Sequence, residues 1–135
     1  MKKYETLEHK ADLKIRAFGK TKEELFLNML FGMAESQKAE LKTKERTKRE
    51  VKIKSLDSAT LLVDFLNEVL YLSQVNKEVY PKAEFDKFTD TEIKGKLIGQ
   101  KVERFGEDIK AVTYHGLDIR QLKDKTWEAI VLFDI

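Results

Sequence analysis

Apolar residues along this chain follow two periods, and the switch between them divides it. Leu13, Ile15 and Ala17 alternate with Lys14, Arg16 and Phe18, a period of two that predicts a half-buried strand stopping at Gly19. Residues 4–8 predict a short lead-in strand before it. Leu25, Phe26, Met29, Leu30 and Met33 then recur at helical spacing, and Thr21-Lys22-Glu23-Glu24 has the form of a capping box. Thr21 closes the first turn and Glu24 reaches back, predicting a helix to about Gln37. A second helix starts at Asp57 or Ser58 and carries Leu61, Leu62, Phe65, Leu66, Val69 and Leu72. Its apolar positions cover more than half of the helical wheel, so it is predicted to form the spine of the core.

Beyond Tyr80-Pro81 the helical period disappears. Residues 85–88, 92–102, 109–114, 117–122 and 127–133 read as strands, with turns near Asp90, at 105–108, at His115-Gly116 and near Asp124-Lys125. In the last strand Trp127, Ala129, Val131 and Phe133 face one way, and Ile130 and Leu132 the other. That pattern predicts a central strand covered on both faces. Residues 38–50 are mostly charged, read as a solvated loop or a lysine-guarded edge strand, and lead into the alternating Val51-Lys52-Ile53-Lys54. The predicted class is α+β: two helices packed on a mixed, largely antiparallel sheet, in one domain spanning 1–135.

Composition narrows the function classes. The chain has 135 residues, 41% of them apolar, enough for one domain with a real core. Without cysteine there is no disulfide framework, thiolate nucleophile or thiolate metal site. No apolar run approaches a membrane span, and the first residues lack a signal-peptide core, so a cytoplasmic protein is expected. Lys and Arg total 26 against 24 Asp and Glu, a balance too even to imply nucleic-acid binding by itself.

Most catalytic motifs are missing. There is no GxGxxG or GxxxxGK[ST] phosphate loop, no HExxH and no Cys/His zinc pattern. Two histidines, His9 and His115, are few for a histidine-based site, and nothing amounts to a complete catalytic apparatus. Asp12 precedes the opening strand and Asp134 ends the closing one. If these strand ends meet, Asp12, Asp134 and a backbone carbonyl or terminal carboxylate at Ile135 make an all-oxygen set suited to a hard cation. Two ordinary strand-terminating surface acids would look the same in sequence. Asp64 and Glu68, one turn apart on the second helix, could share a cation or simply face water.

Taken together, the motifs resemble the archease family. His9-Lys10-Ala11-Asp12, continuing to Arg16-Ala17-Phe18-Gly19, looks like that family's H-x-A-D strand. The run from Leu61 to Tyr71 resembles its second-helix motif, Lys110-Ala111-Val112-Thr113-Tyr114-His115 its K-A-V-T-Y-H segment, and Phe133-Asp134-Ile135 its terminal F-D-I. The resemblance covers nearly the whole chain and implies an archease-like fold. It also implies a non-enzymatic accessory protein of the GTP-dependent tRNA-splicing RNA ligase, promoting the ligase's guanylylation and turnover, with RNA met through the ligase and no membrane. It makes Asp12, Asp134 and Ile135 the metal set, for calcium first and magnesium or manganese as alternatives. Lys110 becomes a functional neighbour, and His115, Asp64 and Glu24 lesser candidates. The other readings are an RNA-binding module using the basic run at 42–49, or a chaperone-like holdase, each acting without a ligase.

Overall fold

A computed structural model describes residues 1–7 and 12–135; His9 of the opening motif lies outside the described residues. Among the described residues seven strands and two helices run in the order β1 (Tyr4–Leu7), β2 (Asp12–Gly19), α1 (Lys22–Ser36), β3 (Ala39–Lys54), α2 (Ser58–Asn76), β4 (Glu78–Phe88), β5 (Glu92–Phe105), β6 (Ala111–Gln121) and β7 (Trp127–Asp134). The α+β class with two helices is as predicted. The strands, however, sort into two sheets instead of one, ordered β1-β2-β7-β6 and β3-β5-β4. Every described pairing is antiparallel.

Local chemistry explains where the helices start. Thr21 Oγ1 accepts from the Glu24 N–H at 3.1 Å, as a cap requires. The Glu24 carboxylate reaches back one residue further than a strict capping box, to the Lys20 N–H at 3.0 Å. Asp57 caps α2 by accepting from the Thr60 N–H at 2.8 Å. Lys77 ends α2 with a left-handed φ of 51°, the conformation that lets the chain reverse into β4.

Both helices touch both sheets. α1 packs on β2 and β4, and α2 on β6 and β4. The inward residues of each sheet, among them Ile15, Val131 and Phe133 from one and Val51, Ile93 and Leu97 from the other, share one core with Phe26, Leu61, Phe65 and Leu66. Each large side chain removed from water there contributes about 1.5–3 kcal/mol. Gly32 lets α1 sit against the first sheet, since a Cβ would come within 3.0 Å of the Tyr4 ring and 3.3 Å of Ile15. Among the described residues no helix is long and apolar enough to cross a membrane.

Three further expectations change. All of the 38–50 segment after Lys38 is part of β3, an edge strand, and the loop alternative falls away. The turn predicted at His115-Gly116 is instead a bulge inside β6. The ladder passes from Thr113–Leu132 to Asp118–Ile130, so residues 114–117 stand against Val131 alone. Gly116, at φ +64°, supplies the left-handed residue that such a bulge needs. Finally, β7 is central, but its second face is not covered by another layer: Ile130 and Leu132 are only half-buried and line an open cavity.

A buried ionic cluster pins the start of β4. Glu78 is fully buried and takes both Arg49 N–H bonds at 2.9 Å, the Lys101 ammonium at 3.1 Å and the Tyr80 hydroxyl at 2.5 Å. Burial pushes the Glu78 carboxyl up, but hydrogen bonds from Arg49, Tyr80 and Lys101 outweigh it and hold it at about 2. Burial, with Glu78 alongside, raises the Tyr80 phenol to about 12.

Candidate functional site

The two aspartates predicted to meet do meet. Asp12 and Asp134 are Cα partners at the end of the β2–β7 ladder, and Asp134 also pairs with Ala111 of β6. The Lys110 N–H donates to the Asp134 carbonyl at 2.8 Å. The ends of β2, β6 and β7 therefore bring Asp12, Lys110, Asp134 and the following Ile135 to one end of the first sheet. Asp134, Ile135 and Lys110 are exposed there, and Asp12 is half-buried.

From Asp12 the outer face of this sheet opens into a cavity of about 390 Å³ lined by Lys14, His115, Gly116, Asp118, Arg120, Glu128, Ile130 and Leu132 as well. The bulge in β6 carries His115 to this cavity. Glu128 is its most buried charge, 6% exposed, and it accepts from Arg120 at 3.0 Å while Arg16 lies 3.9 Å away. No sequence motif singles out Glu128 or Arg120. The available signal was an acid inside the otherwise apolar run of β7, which a strand tolerates only when a cation faces it.

Two of the lesser candidates stand elsewhere. Asp64 accepts from Ser55 Oγ at 2.6 Å and from the Tyr114 hydroxyl, and that second bond raises the Tyr114 phenol above its ordinary value. Asp64 thus ties α2 to the bulge. Two residues on the same helix continue the tie: Asn67 both donates to the Val112 carbonyl at 3.0 Å and accepts from its N–H at 2.9 Å, and Gln74 donates to the Ile109 carbonyl at 3.0 Å. Glu24 follows Gly19, at the opposite end of β2 from Asp12, roughly 23 Å of strand away. Its carboxylate serves the helix cap.

The donors at the strand ends are oxygens only: two carboxylates and the backbone around Ile135. That set fits a hard divalent cation, which completes its shell with water. Among the described residues no three His, Cys, Asp or Glu side chains converge as a ready-made metal cluster, so backbone oxygens and water would have to supply the remaining ligands.

The model of the archease protein family matches residues 4–135. This chain belongs to the archease family. It is 38% identical to the protein archease of Methanosarcina barkeri, over 99% of this chain and 97% of that one. It is 32% identical to that of Pyrococcus abyssi over the full length of both. The archease fold is likewise that of protein 1598 of Methanobacterium thermoautotrophicum, whose solution structure superposes with a TM-score of 0.74 at 26% identity over the whole of both chains. A crystal structure from Thermotoga maritima, described as an archease and possible chaperone, matches at TM-score 0.68 and 24% identity, covering 96% of this chain and 94% of that one; it speaks for the fold alone.

Proposed function

We propose that this archease is an accessory protein of the GTP-dependent tRNA-splicing RNA ligase, promoting the ligase's guanylylation and turnover through the acidic end of its first sheet. The observation that carries the reading is the direct pairing of Asp12 with Asp134, in a chain that belongs to the family along almost its whole length. In this reading the chain performs no covalent chemistry of its own and acts in the cytoplasm. Asp12, Asp134 and the Ile135 backbone hold a divalent ion, calcium first, with magnesium or manganese as alternatives. Bound there, the ion supplies positive charge that the ligase's nucleotide phosphates or acidic groups can meet. Lys110 holds the Asp134 backbone in place, and its exposed ammonium adds a second cation beside the acids. His115 faces the adjoining cavity, where it can contact the partner.

The test is ligase guanylylation with GTP and manganese, with the ligase in excess over this protein. Wild type stimulates repeated turnover, whereas Asp12→Ala and Asp134→Ala lose most of that stimulation. Stimulation by both variants equal to wild type removes the acidic site from the mechanism. Protection of unrelated aggregating proteins, without any effect on the ligase, replaces the reading with a chaperone-like one.

A further inference from the structure

The second sheet presents a face that the ligase reading leaves unused. Along β5 the buried Ile93 and Leu97 point to the core, so the intervening exposed Lys94 and Lys96 point outward. The register sets Lys52 of β3 directly against Lys94, Lys48 against Ile98 and Arg46 against Gln100, while Lys82 of β4 stands on the other side of Ile98. The outward row thus holds six cations, Arg46, Lys48, Lys52, Lys82, Lys94 and Lys96, besides Lys54 and Lys87, which stand with Glu92 at its end. Three further acids share it, Glu50 and Glu84 flanking Lys96, and Asp86 nearby. The surplus on this one face, eight cations against four acids, exceeds the +2 of the whole chain.

None of the six cations has an ion pair or side-chain hydrogen bond among the described residues, although the neighbouring Lys54 and Lys87 both close on Glu92. Lysines on β3 and β4 can be explained as guards of exposed sheet edges. That account fails for Lys94 and Lys96, because β5 is the central strand. Lys52 opposite Lys94 is a like-charge cross-strand pair, which destabilises a sheet unless an anion lies over it. Two shallow grooves run over the face, one of about 300 Å³ beside Arg46 and Lys82, the other of about 330 Å³ beside Lys52, Lys94 and Lys96.

We infer that this face binds the phosphate backbone of RNA, independently of base sequence. Ile98 is the one apolar side chain among the outward positions of β5, and no aromatic residue joins it there. Protein interfaces need apolar or aromatic anchors and are poor in lysine, and base readout needs aromatic platforms. A lysine-rich sheet with neither suits a chain of phosphates, whose counterions it displaces. The inference is separate from the ligase reading, because its assay contains no ligase.

The experiment is fluorescence anisotropy of a labelled single-stranded RNA of mixed sequence, titrated with the full chain at low and high salt. Wild type binds with an affinity that falls as salt rises, and the scrambled sequence binds equally well. Lys52→Glu/Lys94→Glu weakens binding by about tenfold or more, Lys52→Gln/Lys94→Gln weakens it less, and Lys20→Glu/Lys123→Glu, with the same change in net charge elsewhere on the surface, changes it little. Equal weakening in both charge-reversed variants, or salt-independent binding, overturns the assignment. So does displacement of the RNA by polyglutamate at the same charge concentration as by competing RNA, which would mark the face as a site for acidic protein.

Discussion

Asp12 and Asp134 lie directly opposite each other as Cα partners in the β2–β7 ladder. Carboxylates placed across neighbouring strands in this way have Cβ atoms about 4.5–5.5 Å apart and repel each other. The divalent cation proposed above would convert that repulsion into shared coordination.

Calcium should therefore stabilise the protein. At a calcium concentration a hundred times Kd the gain is about 2.7 kcal/mol, read as a rise in Tm over the chelator-treated sample. Asp12→Asn and Asp134→Asn should each abolish most of that rise, whereas Glu24→Gln, at the far end of β2, should keep it. A rise of the same size in the two strand-end variants would place the ion elsewhere.

The Glu78 cluster predicts acid sensitivity. The folded carboxyl is held at about 2, below its ordinary 4.5, so the unfolded chain takes up the proton first. The stability this group contributes is present above pH 4.5 and is lost as pH falls toward 2. Differential scanning calorimetry should show Tm falling through that window. Glu78→Gln removes this part of the slope and leaves Arg49 and Lys101 without their counter-charge and with one acceptor oxygen in place of two, at a cost of about 3 kcal/mol at neutral pH.

Asn67 should matter more than its place on a polar helix face suggests. Asn67→Ala strips both hydrogen bonds from the Val112 backbone, a loss of about 2 kcal/mol and roughly 6–10 °C in Tm. Amide exchange at Val112 should accelerate more than that at Val131, on the neighbouring strand. Uniform acceleration of both would assign the effect to global destabilisation instead.

Sequence periodicity was enough for the helices and for placing Asp12 and Asp134 at strand ends; their meeting entered as a condition that the register of β2 with β7 now meets. Capping residues and alternation are local signals, and both are written within a few positions of Thr21, Asp57 and Leu13. What escaped it was non-local. His115-Gly116 signals a left-handed residue, which a turn and a bulge demand equally; only the register against Val131 distinguishes them. The opposition of Lys52 and Lys94 depends on which residues of β3 and β5 pair, and composition averages that charge away. Division of the strands into two sheets depends on both helices packing against both sheets, a packing that neither helix's pattern states.

The pairing of β2 with β7 also bears on how the molecule assembles. Its contacts, such as Gly19 with Trp127 and Asp12 with Asp134, join segments separated by both helices and the entire second sheet. Closing so long a loop is slow and costs entropy before any contact compensates. The second sheet, whose β4 and β5 are adjacent in the chain, can form earlier. The two carboxylates then come opposite each other only when the first sheet closes, so the divalent ion proposed for them would report a completed fold and find no purchase on a partly folded chain.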